Sequence, residues 1–175
     1  MERNELCWCG SGKKYKKCHR LIEDKIQYYQ DKGDIVPDRS MLKTLPQIEA
    51  IKKSAELNTA VLDYVAAHIH EGMSTEEIDR LVYDFTVSHG GIPAPLHYQG
   101  FPKSVCTSIN NEICHGIPDE SIILQDGDII NVDVSTILDG YFSDASRMFL
   151  IGNVSDRAKR LVRVTEECVK LGLEQ

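Results

Sequence analysis

Two carboxylates in the C-terminal part of the sequence have the type and setting for metal chemistry. Asp133 sits in the run Ile129-Ile130-Asn131-Val132-Asp133-Val134, and Asp144 in Ser143-Asp144-Ala145-Ser146. An ionised carboxylate among Ile and Val is costly to bury alone, so Asp133 requires a metal, a cation or several hydrogen-bond donors. Two carboxylates on adjacent strands repel each other, and a divalent ion relieves that repulsion. Carboxylate oxygens suit magnesium, manganese, iron(II) or cobalt. The same residues also fit two hydrogen-bonded aspartates near a strand end, and their types alone leave both readings open.

A second group lies at the front, in Cys7-Trp8-Cys9-Gly10-Ser11-Gly12 and Cys18-His19. Three thiolates and one imidazole make a closed tetrahedral set, the usual pattern of structural zinc. Gly10 and Gly12 let the backbone turn tightly around an ion. A module of about 20 residues buries too little core to fold alone, so the metal would supply the folding energy.

The carboxylates need a hairpin to bring them together. Ile129–Leu138 is rich in β-branched residues, Asp139-Gly140 reads as a two-residue turn, and Tyr141–Ile151 reads as the returning strand. That turn pairs Asp133 with Ser146 and Asp144 with Ser135. Residues directly opposed or two apart share a sheet face, so the two aspartates become diagonal neighbours on one face. A bulge would change this register. Ser104–Ile109 reads as a further strand, and Asp126-Gly127-Asp128 as a turn.

Ahead of the strands, residues 46–71 carry a helical stripe of Ile48, Ile51, Ala55, Leu62, Val65 and Ile69. Pro46 suits its first turn and Gly72 its stop. Ser74 and Glu77 form a capping box for a second amphipathic helix using Ile78, Leu81, Val82 and Phe85, closed by Gly90-Gly91. Residues 156–173 repeat Leu161, Val164, Cys168 and Leu171 at helical spacing, with Cys168 expected in the core. Helices followed by strands, without regular alternation, indicate an α+β domain. The expected organisation is a zinc-binding module at 1–20, a linker at 21–45 with a short helical stripe of Ile22, Ile26 and Tyr29, and a main domain at 46–175.

Bulk properties narrow the function. The net charge of −7 argues against broad nucleic-acid binding. Residues 1–20 hold six Lys/Arg against two Asp/Glu, so a basic head sits on an acidic body, which suggests two units with different partners. No apolar run approaches the roughly 18 residues of a membrane span. No apolar signal follows Met1, so a cytoplasmic protein without membrane contact is expected. In that compartment the six cysteines are more often ligands or buried thiols than disulfides. Cys106 and Cys114 are expected as small packing residues.

Further motifs carry a family resemblance. Tyr98-Gln99-Gly100-Phe101-Pro102-Lys103-Ser104-Val105-Cys106 leads to Asn110-Asn111-Glu112-Ile113-Cys114-His115-Gly116-Ile117-Pro118, then to Asp126-Gly127-Asp128 and Asn131-Val132-Asp133-Val134. In this order they resemble type I methionine aminopeptidases, members of peptidase family M24, from about residue 41 to 175. The resemblance implies the pita-bread fold, in which two α+β halves enclose two divalent ions (cobalt, manganese, iron or zinc). It implies removal of initiator methionine from nascent polypeptide N-termini by activated water. Asp133 and Asp144 match the first and the bridging metal ligands, and His115 matches a histidine contacting substrate near the scissile bond. Tyr98, Phe101 and Cys106 match positions around the methionine pocket. Gln99 stands where the family often has histidine, and Pro95 near a family cysteine.

The family's second half supplies a further histidine and two glutamates to the metals. The chain ends at Gln175, inside the helix that would open that half, so the expectation is a truncated chain that is inactive alone. The front segment resembles the SEC-C zinc motif, with Cys7, Cys9, Cys18 and His19 as its four ligands. That resemblance implies docking, with Lys13, Lys14, Lys16, Lys17 and Arg20 facing ribosomal RNA or an acidic, ribosome-associated protein. A monomer is expected. The alternatives are a pita-bread binding protein without catalysis, a zinc-module docking fragment, or a proline-specific pita-bread peptidase.

Overall fold

The computed structural model describes residues 1–175, the side chain of Arg39 excepted. The chain divides into two compact units, Met1–Lys52 and Lys53–Gln175.

In the first unit a small knuckle closes through an antiparallel bridge between Leu6 and Lys14. The Cys7 N–H donates to Lys13 O at 2.8 Å, across the turn made by Gly10 and Gly12 at positive φ. Helix α1, Arg20–Asp31, occupies the stretch read as a linker. Its Glu23 ties it to the knuckle, accepting from Trp8 Nε1 at 2.7 Å and from the Tyr15 hydroxyl at 2.5 Å. The apolar stripe seen in the sequence is thus one face of a full helix, none of whose residues is buried.

The second unit contains most of helix α2, Leu45–His68, then α3, Thr75–Ser88, and α4, Asp156–Leu173. The α3 capping box is formed in full, with Ser74 accepting from the Glu77 N–H while Glu77 accepts from the Ser74 N–H. The strands are β1, Ile92–Pro93; β2, Cys106–Ile109; β3, Ile129–Leu138; and β4, Tyr141–Leu150. Strands β1 and β2 share one edge of β3, and β4 runs antiparallel along the other. Asp139 and Gly140 both take positive φ, as a tight hairpin matching the strand twist requires. The register therefore pairs Asp133 with Ser146 and Ser135 with Asp144.

One face of the sheet is core. Ile130, Val132, Val134 and Thr136 of β3 are buried with Val61, Leu62 and Val65 of α2 and Ile78 and Val82 of α3. The buried face of α2 differs from the expected stripe. It runs through Ser54, Leu57, Asn58, Val61, Leu62 and Val65, while Ile48 and Ala55 are exposed. Ser54 and Asn58 earn burial by hydrogen bonding. Ser54 Oγ donates to Thr136 O at 3.2 Å, Asn58 Nδ2 donates to Val134 O at 3.0 Å, and Asn58 Oδ1 accepts from Thr136 Oγ1 at 2.7 Å. Two further expectations fail. Cys168 is exposed, because α4 buries none of its residues and its apolar stripe faces solvent. Cys114 is exposed as well, on the loop after β2.

Candidate metal centre and substrate pocket

Alternation along β3 and β4 sends Val132, Val134 and Ala145 to the core side, and so sends Asp133 and Asp144 to the other. Cys106 pairs with Asp133 across the β2–β3 ladder and shares its face. These three residues line a pocket of about 760 Å3 with Tyr98, Phe101 and His115. The pocket therefore gathers every residue of the main domain singled out for metal or substrate. It adds residues that the sequence alone gave no role in the site, among them Ser135, Ile117 and Phe142. Ser135 Oγ donates to Asp144 Oδ1 at 2.6 Å. The hairpin register already placed these two opposite each other, so that contact was legible.

Burial raises the Asp133 carboxyl above its ordinary range, the Asp144 charge adds to the rise, and His115 opposes it. Among the described residues neither aspartate forms an ion pair with Lys or Arg. Two carboxylates sharing a face with no paired countercharge suit a divalent ion. Burial, followed by the Asp133 charge, pushes the Cys106 thiol up to about 11. It is a neutral wall of the pocket rather than a nucleophile.

The loops are held in unusual backbone conformations. His97, Gln99 and His115 all have positive φ, which costs non-glycine residues energy and marks over-determined segments. The His115 loop returns against β2, where the Thr107 N–H donates to Gly116 O at 2.9 Å and the Gly116 N–H donates to Ser108 Oγ at 3.2 Å. A Cβ on Gly116 would lie 1.9 Å from Thr107 O, so only glycine allows this approach.

In the first unit the ligand-type atoms of Cys7, Cys9, Cys18 and His19 lie within 4.8 Å of one another. Cys9 and Cys18 sulfurs are 3.6 Å apart, and His19 Nδ1 is 3.3 Å from Cys7 Sγ and 3.2 Å from Cys18 Sγ. Tetrahedral zinc with ordinary bond lengths would space its sulfurs by about 3.8 Å and sulfur from nitrogen by about 3.5 Å. The four residues fit such an ion. Ser11 hydrogen bonding lowers the Cys9 thiol to about 6, towards the thiolate that a metal binds. Trp8 packs on the His19 ring at 4.6 Å between centroids, fixing the imidazole from outside.

Both parts of the chain are similar to known proteins. Residues 3–21 match the SEC-C motif. The chain is 41% identical to a methionine aminopeptidase of Chlamydia trachomatis, over 99% of its own length and 60% of that protein. It is 49% identical to methionine aminopeptidase A of Synechocystis, over 78% of its length and 54% of that protein. It thus spans little more than half the length of these relatives. The crystal structure of methionine aminopeptidase from Rickettsia prowazekii superposes with a TM-score of 0.70 at 42% identity, covering 72% of this chain and 50% of that one. The strands that carry Asp133 and Asp144, the His115 loop and the pocket loop all lie within residues 49–175, the stretch that matches metallopeptidase family M24, and to that family the chain belongs.

Proposed function

We propose that this chain supplies the first half of the catalytic domain of a methionine aminopeptidase, which hydrolyses the peptide bond after an initiator methionine. The observation carrying this reading is the single pocket that joins Asp133 and Asp144 to His115, Tyr98, Phe101 and Cys106. Asp133 and Asp144 would hold two divalent ions, cobalt, manganese, iron or zinc, jointly with ligands of the kind found in the second half of longer relatives. When bound, such ions lower the pKa of water and polarise a carbonyl. The protein's own groups do the rest. His115 stands at the pocket wall to donate to the oxygen that gains charge at the scissile bond. Tyr98, Phe101 and the neutral Cys106 thiol enclose an unbranched, polarisable thioether side chain and exclude water from it. Ser135 holds Asp144 in one rotamer.

The first unit would carry one structural zinc on Cys7, Cys9, Cys18 and His19. Its exposed Lys13, Lys14, Lys16 and Lys17 would dock the enzyme, as a cytoplasmic monomer, near ribosomal RNA or an acidic ribosome-associated protein. Release of methionine from a Met-Ala-Ser peptide tests the catalytic reading, with manganese and the protein that carries this chain. Asp133→Asn and Asp144→Asn are each expected to cut kcat/KM by about a thousandfold or more, and His115→Ala by about a hundredfold. Activity untouched by either aspartate variant would end this reading.

A further inference from the structure

Both walls of the pocket are rooted in the first turns of one helix. Thr75, at the start of α3, is fully buried. Its hydroxyl donates to Asp119 O at 3.1 Å and accepts the Asp119 N–H at 2.9 Å, gripping one peptide segment from both sides. That segment closes the loop that carries His115 and Ile117. One turn further on, Asp79 is 9% exposed and accepts the Ser104 N–H at 2.6 Å. Glu76, between them, takes an ion pair from Lys103. Lys103 and Ser104 close the other loop, which carries Tyr98 and Phe101.

A second cavity of about 640 Å3 lies beside these anchors, lined by Glu76, Lys103 and Asp119 together with Pro102 and Ile117. Pro102 and Ile117 also line the substrate pocket, so they form a partition between the two spaces. The contacts to α3 thus fix the roots of both walls beside this partition. A charge-assisted bond from a backbone N–H to a buried carboxylate is stronger and shorter than a neutral one, which suits a fixed anchor. Burial raises the Asp79 carboxyl, opposed by the Ser104 N–H and the Lys103 charge, so the helix carries an unfavourably placed acid whose use is that contact.

We propose that Thr75, Glu76 and Asp79 act as a positioning clamp that sets the distance between the Tyr98–Phe101 wall and the His115–Ile117 wall. As a device for substrate selection the clamp rests on the reading of this pocket as the methionine site.

Cys106 provides a readout that needs no hydrolysis. It is buried and lines the pocket, whereas Cys168 on α4, away from both loops, is exposed and serves as an internal reference. Iodoacetamide labelling of the full chain, mapped by peptide mass spectrometry, gives the rate at each thiol. Asp79→Ala and Thr75→Val are each expected to label Cys106 about tenfold faster or more, the effect of losing one buried hydrogen bond to a charged group in the first and two at a buried hydroxyl in the second. Cys168 should hold its rate. Asp79→Asn should restore slow labelling, because its amide oxygen still accepts the Ser104 N–H. Glu76→Gln removes the Lys103 ion pair together with the long Arg80 contact at 4.0 Å and keeps the test falsifiable if the buried variants do not fold; it too should label Cys106 faster. Unchanged Cys106 labelling in the folded variants would overturn the clamp. So would a rise matched by faster amide exchange across the core at Val61 and Val132, which would mean general loosening. Failure of the aminopeptidase reading would appear separately, in the methionine-release assay.

Discussion

Replacing Gly116 by alanine tests whether close backbone approach positions the candidate site. Gly116 is placed where a Cβ would lie 1.9 Å from Thr107 O and 2.5 Å from Glu112 Oε2. Close-packed interiors do not yield by that much without a shift of about 1 Å or more, so the loop must leave the strand. Leaving breaks the Thr107 N–H to Gly116 O bond and the Gly116 N–H to Ser108 Oγ bond. At about 1 kcal/mol for each bond, and more for groups left buried and unpaired, the loss is roughly 2–4 kcal/mol. Glycine-to-alanine substitution at a compatible site instead stabilises by about 0.5 kcal/mol through the unfolded chain, so the sign alone separates the two cases. Urea unfolding followed by circular dichroism should show a midpoint lowered by about 1–2 M. His115 is next in the chain and is held at positive φ, so it relaxes when the loop lifts and moves off the pocket wall. In the active protein a misplacement of about 1 Å would cost roughly a hundredfold in kcat/KM. An alanine variant with an unchanged or raised urea midpoint would refute the close approach and, with it, the account of how His115 is set.

Three other outcomes follow from the same structure. Stripping metal from the first unit with a chelator should shift the emission of Trp8, the one tryptophan among these 175 residues, to the red, because its stacking partner His19 and its acceptor Glu23 lose their fixed places; Cys18→Ser should give the same spectrum without chelator. Asp133→Asn should raise the unfolding temperature in EDTA while abolishing manganese binding. An acid whose folded pKa is raised costs stability as pH climbs from its unfolded value through the folded one, so the variant's advantage should be absent near pH 3 and present at pH 7 in paired melting curves. Asn58→Leu, although it puts an apolar side chain in the core, should destabilise by about 2–4 kcal/mol in urea titrations, because it leaves Val134 O and Thr136 Oγ1 without their partner.

What the sequence made legible depends on whether a feature is written in period and turn chemistry or in long-range contact. The hairpin belongs to the first kind. A two-residue turn at Asp139-Gly140 leaves one register, and that register alone places Asp133, Asp144 and Ser135 together. The capping box at Ser74 is equally local. The face of α2 belongs to the second kind. Its apolar residues pointed to a stripe through Ile48 and Ala55, but Ser54 and Asn58 are drawn inward by carbonyl and hydroxyl groups of β3 and β4, more than 75 positions along the chain. Hydropathy assigns such residues to the surface because it ignores what a distant strand offers in exchange for desolvation. Cys168 and Cys114 fail for the complementary reason. Periodicity marks a stripe on α4 and composition marks a small thiol on the loop, yet neither says what covers them. The α3 clamp shows how far this extends into function. Thr75, Glu76 and Asp79 read in the sequence as the opening of a capped helix, and only the fold reveals that the same turn holds Ser104 and Asp119, the roots of both pocket walls. Residues that do chemistry announce themselves by type and spacing, whereas residues that aim them are defined by partners the sequence does not name.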